Sequence, residues 1–123
     1  MDKEQALYTF WHEATGLEAY EENKIPDTAA LPYVTYQTIV GALDEPVFPI
    51  GHIWVKKTDD VSWNALDGYL AKLEAYLNRG RLIAMDDQGV LFVTRGTPFA
   101  QRVGDDVGAV GYLINLGVEY FSN

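Results

Sequence analysis

Trp63, Leu66, Leu70, Leu73 and Leu77 follow one another at steps of three, four, three and four residues. That spacing puts all five on one side of an α-helix over residues 61–78, and a one-sided apolar helix must be laid against another layer. Asp59, Asp60 and Ser62 are candidate caps for its start. Gly80 stands where a C′ glycine belongs, and Arg79 suits the negative end of the helix dipole. The fold therefore has to supply a surface broad enough to cover this stripe.

The surface is predicted from alternating segments. Over 110–121, Val110, Tyr112, Ile114, Leu116, Val118 and Tyr120 share one face of a strand, and Gly111, Leu113, Asn115, Gly117, Glu119 and Phe121 share the other. Gly111 and Gly117 leave gaps in that second face, which suggests a helix lying close to it. Further strands are expected from Tyr33 to Val40 and over 50–57, separated by residues 41–49, where Gly41, Pro46 and Pro49 break a ladder. Leu82–Met85 and Val90–Thr94 form a hairpin around Asp86-Asp87-Gln88-Gly89. Residues 96–109, rich in glycine and aspartate with Pro98, read as a long loop, and loops of that length are usually functional.

A first helix is predicted over residues 2–22 from Leu7, Phe10, Trp11, Ala14 and Leu17, with Asp2 as cap and Glu4 in the first turn. Gly16 weakens it, and Glu18, Glu21 and Glu22 sit at the wrong end of the dipole, so its last turn is expected to fray. A loop bracketed by Pro26 and Pro32 follows. The expected order is α-β-β-α-β-β-β. The fold class is α+β, a mostly antiparallel β-sheet with two α-helices packed on one face.

Composition narrows the function. The 123 residues suit a single domain, 1–123, and 16 aromatic residues (13%) within 48% hydrophobic residues suffice for a core. Without cysteine there are no disulfides, thiolate metal sites or thiol nucleophiles. Nine basic against eighteen acidic residues leave a net charge of −9. That excess disfavours gripping nucleic acid or anionic lipid, both of which need Lys and Arg. It suits solubility, or a surface that lies beside DNA without holding it. The polar, acidic start has neither the basic nor the apolar part of a signal peptide, so a cytosolic chain is expected.

No phosphate loop, Gly-x-Ser-x-Gly or His-Glu-x-x-His pattern occurs. The carboxylate pairs Asp59-Asp60, Asp86-Asp87 and Asp105-Asp106 sit where caps and turns favour aspartate, and His52 on a strand reads as packing. Catalytic, cofactor and metal residues are accordingly expected to be none. Tyr112, Tyr120, Tyr33 and Tyr36 are candidates for a shared tyrosine face suited to subunit contacts. Arg95 and Arg102 flank the 96–109 segment and can pair with carboxylates.

Leu31-Pro-Tyr-Val-Thr-Tyr36, Ile53-Trp-Val-Lys56, Gly96-Thr-Pro-Phe-Ala-Gln-Arg102 and Gly111-Tyr-Leu-Ile-Asn-Leu-Gly-Val-Glu-Tyr120, taken with the helices between them, resemble the small tail terminator (tail completion) proteins of long-tailed bacteriophages and prophages. The resemblance covers most of the chain in element order and length, and its motifs carry no chemistry of their own. It implies an α+β protein without enzymatic activity or cofactor. Six copies would form a ring that caps the head-proximal end of the tail tube, ends tube growth and joins the tail to the head connector. Its partners would be further copies of itself, the tail tube protein and the connector or neck protein. DNA would pass through without specific binding, and no membrane is involved. Such a protein would reside at the tail–neck junction of the virion, and in the host cytoplasm during assembly. A six-membered ring would carry a charge of about −54, which repels phosphate. Arg95, Phe99, Arg102, Asp105, Asp106, Tyr112 and Tyr120 are the candidate interface residues. Three rival readings stand: another neck protein (head-closure or tube subunit), an acidic adaptor, and a small enzyme holding a divalent metal with Asp105, Asp106 and His52.

Overall fold

The computed structural model describes residues 3–39, 46–58, 61–85, 89–104 and 108–121. Asp2, Val40, Gly41, Asp59, Asp60, Asp86, Asp87, Asp105 and Asp106 lie outside them, and so do the caps, turn and loop positions assigned to those residues.

The first helix, α1 (Lys3–Thr15), is shorter than the apolar spacing predicts. Ala6, Leu7, Phe10, Trp11 and Ala14 are buried along one side. The helix stops at Gly16, whose φ of 74° is open to glycine at little cost. Gly16 N donates to the His12 carbonyl at 2.8 Å. Buried Thr15 donates its hydroxyl to the Trp11 carbonyl at 2.7 Å and accepts from Leu17 N at 3.2 Å, while His12 Nδ1 lies 2.8 Å from the Leu17 carbonyl. This knot turns the chain out of the helix. The acidic stretch expected to fray is instead a short strand, β1 (Ala19–Glu21).

The remaining elements are β2 (Tyr33–Tyr36), β3 (Ile50–Lys56), α2 (Val61–Leu77), β4 (Arg81–Ala84), β5 (Val90–Gly104) and β6 (Ala109–Phe121). They build one six-stranded sheet in the order β1-β2-β3-β6-β5-β4. Only β1 and β2 run parallel; every other pair is antiparallel. The fold is α+β with two helices, and the observed order α-β-β-β-α-β-β-β gains β1 over the expected one.

The largest correction concerns residues 96–109. Residues 96–104 are not loop but the second half of β5, which stays beside β6 as far as Gly104 and Val110. Glycines and Pro98 suggested a break, yet they serve a bulge. From Arg95 to Ala100 the chain advances five residues while its partner moves only from Leu116 to Ile114. Asn115 Nδ2 holds the bulge by donating to the Pro98 carbonyl at 2.7 Å. The backbone of β6 crowds Gly96, so a side chain there would strike Asn115.

Both helices cover one face of the sheet. Leu66, Leu73 and Leu77 of α2 are fully buried with Ile53, Leu91, Val93, Ile114, Leu116 and Val118 from the strands. Asn78, with φ 52°, takes the left-handed position after α2 that the sequence assigned to Gly80. Gly80 is needed two residues later, where the Phe92 ring lies against it. Ser62 anchors the other end by accepting from Thr58 N and donating to the Thr58 carbonyl, each at 2.7 Å.

Gly111 and Gly117 do not admit a helix. Ile53 backbone and the Trp54 ring fill the space at Gly111, and Thr94 with Phe48 fills it at Gly117. Among the described residues no helix covers the face they occupy.

Two glycines should respond oppositely to alanine. A methyl group at Gly51 would enter the buried Trp11 indole, so Gly51→Ala should cost about 1–3 kcal/mol. Gly68 lies within α2 with open space around it, so Gly68→Ala should add roughly 0.5–1 kcal/mol. Urea unfolding of the two variants checks both signs.

Candidate functional site

Four of the candidate interface residues gather where β5 and β6 pass under α2. Antiparallel pairing sets Arg102 opposite Tyr112, and both point to the helix side of the sheet. The Arg102 guanidinium stands 4.3 Å over the Trp63 ring, and Trp63 in turn stacks on Tyr112 at 5.9 Å. The Tyr112 hydroxyl donates to the Asp67 carboxylate one turn along α2. Burial pushes the Tyr112 hydroxyl above its ordinary pKa, the Asp67 hydrogen bond adds to that, and Arg102 opposes it. The other two lie at the bulge: Arg95 reaches Glu74 of α2 at 3.4 Å and sits 5.1 Å over the Phe99 ring.

These contacts are intramolecular. Tyr112 is a buried side chain, and Tyr120 is partly buried against the core. An exposed ion pair such as Arg95–Glu74 contributes at most about 1 kcal/mol, and a cation over an aromatic ring a similar amount. Asp105 and Asp106 lie outside the described residues. The shared tyrosine face divides: Tyr36, Tyr112 and Tyr120 point to the helices, whereas Tyr33 pairs with Trp54 on the opposite face. Alternation along β2 requires that split, since Tyr33 and Tyr36 are an odd number of residues apart.

The helix-free face holds the residues that the sequence reading did not select. Phe48 is 73% exposed, Leu82 61% and Phe121 48%. Leu82 pairs directly with Phe92, and the Phe92 and Phe121 rings lie 6.4 Å apart. Phe48 is brought beside Gly117 because Val47 and Val118 exchange backbone hydrogen bonds at 2.9 and 2.8 Å. Further along the same face, Tyr20 meets Tyr33 edge-on at 5.7 Å and His52 stacks on Trp54 at 5.1 Å. Trp54 Nε1 donates to Thr35 at 3.0 Å. Only Phe121 was visible in the strand alternation; Phe48 was hidden among prolines and Leu82 in a four-residue strand.

This arrangement offers contact area. Among the described residues no group of three or more His, Asp or Glu side chains could hold a metal ion. His52 has an aromatic neighbour, and burial lowers its pKa with Glu22 partly opposing. No helix among the described residues is long and apolar enough to cross a membrane.

A depressed histidine pKa contributes stability above the unfolded value, near 6.5, that is lost as pH falls through the folded value. The His52 contribution should therefore decline as pH falls from about 7 through 6.5 and below. The accompanying loss of stability should be smaller in His52→Gln, and urea midpoints across this range measure it.

The hydroxyls of Tyr36, Tyr76 and Tyr112 are all raised, by burial above all. Their contribution is complete below the unfolded tyrosine value of about 10 and fades as pH rises through the higher folded values. Tyr112→Phe, which loses the Asp67 bond, should cost about 1 kcal/mol near neutral pH and unfold less steeply in alkali.

Comparison with known proteins finds no family model that matches the chain and no curated protein that matches its sequence.

Proposed function

We propose that this protein is a non-enzymatic structural component of a phage tail, one that assembles as a ring on the head-proximal end of the tail tube and stops its growth. The observation that carries the reading is the sheet face turned away from the helices, with Leu82 and Phe121 exposed beside Phe92 and Phe48 exposed beside Gly117. Exposed apolar clusters of this kind mark protein contacts. Two further points support it. The acidic excess suits a wall past which DNA slides, and the sequence resembles tail terminator proteins.

A ring closes only through unlike patches on each subunit, so that each copy presents one patch and receives another. The acidic character keeps such a ring from sticking to the DNA it surrounds. A hexamer matches the resemblance, and its neighbours would be the tube protein below and the connector above.

Binding to tubes assembled from the tube protein encoded with it tests the reading. Negative-stain images should show density at one end of each tube, and tube extension should cease once it is added. Incorporation along the tube length would make it a tube subunit instead, and failure to bind any tube end would overturn the proposal.

A further inference from the structure

The two outer strands of the sheet carry opposite charges. The segment Glu18-Ala-Tyr-Glu-Glu22 contains β1 and has three acids and no base. The segment Arg79-Gly-Arg-Leu-Ile-Ala84 contains β4 and has two arginines and no acid. Arg79 and Arg81 are exposed, as are Glu18 and Glu22. Arg81 lies 4.0 Å over the Tyr76 ring, which holds the guanidinium near the β4 edge.

Both edges turn backbone groups outward, where a further strand can pair. Val34 N donates to Glu18 O, and Glu22 N to Tyr36 O, so even-numbered residues of β1 face β2. Ala19 and Glu21 therefore turn their backbone groups outward, and the Glu21 carbonyl already accepts from Lys24 N. Met85 N donates to Gly89 O, so odd-numbered residues of β4 face β5, and Leu82 and Ala84 turn outward. Leu82, at 61% exposure, makes this an apolar edge of the kind natural proteins usually cover.

Strand direction decides how two copies can meet. Following the pairings across the sheet, β1 and β4 run the same way. A rotation axis along the strands preserves that direction, so β4 of one copy can lie parallel to β1 of the next. A twofold axis would instead join β4 to β4 or β1 to β1, setting arginines against arginines or glutamates against glutamates. The unlike joint brings arginine to glutamate and places Leu82 beside Tyr20, which occupies the same sheet face.

We propose that the β4 edge of one copy adds to the β1 edge of the next, so that the sheet continues around the ring. This rests on the ring assembly proposed above. The test is native mass spectrometry of two variants, Arg79→Glu/Arg81→Glu and Glu18→Lys/Glu21→Lys/Glu22→Lys, alone or on tube ends, with circular dichroism to confirm folding. Each variant alone should lose the ring. Mixing them in equal amounts should restore it, because every joint then unites opposite charges again. Because the chain has no cysteine, Tyr20→Cys/Leu82→Cys supplies an independent readout. Oxidation should yield a ladder of linked subunits, whereas either single cysteine should yield none. Rings unaffected by the charge reversals, or a mixture that stays unassembled, would overturn the edge joint while leaving the ring reading intact. Wild-type protein that forms no ring, free or on tubes, would remove both.

Discussion

Everything in this fold hangs on β6. This long strand is paired along most of its length on both sides, with β3 on one and β5 on the other. Its helix-facing residues Tyr112, Ile114, Leu116 and Val118 form the floor on which both helices rest. Alternation then sends Gly111, Asn115 and Gly117 to the other face, where small side chains let Trp54, Phe48 and the β5 bulge come close. One strand thus fixes both the core and the shape of the surface left open. A polar group placed at Ile114 or Val118 would lose its water on one side and gain no partner, which costs several kcal/mol.

The elements with strong periodicity were legible in the sequence. The α2 stripe required one side to be buried, and Leu66, Leu73 and Leu77 are fully buried. The two faces of β6 separated as alternation demanded. What the sequence hid depended on long-range partners. Glu18–Glu22 continues a helical pattern until Thr15 and His12 tie the chain into a turn and β2 supplies a parallel neighbour. Residues 96–104 have the composition of a loop, but β6 offers a ladder that local propensity cannot anticipate. Asn78 rather than Gly80 ends α2 because Gly80 has a different task, admitting the Phe92 ring.

The candidate site was legible in part. Arg95, Phe99, Arg102 and Tyr112 do come together, yet their partners Glu74, Trp63 and Asp67 lie on α2 of the same chain. Those contacts fasten the bulged hairpin to the helix and hold the sheet in shape. Of the apolar side chains left in the open, Phe121 was visible in the β6 alternation, whereas Leu82 lies in a strand too short and Phe48 too close to proline to announce themselves that way. Our account gives the two faces separate tasks: the helix side holds the monomer together, and the open side with its two charged edges meets other subunits. In the proposed ring, the acid excess would let DNA pass without being bound.

Native mass spectrometry of the wild-type chain over a concentration series, with tail-tube ends present and absent, tests this division of labour most directly. The account predicts one closed species near six copies, with no larger open series. A chain that remains monomeric in both settings, or that extends into open fibres, would contradict it.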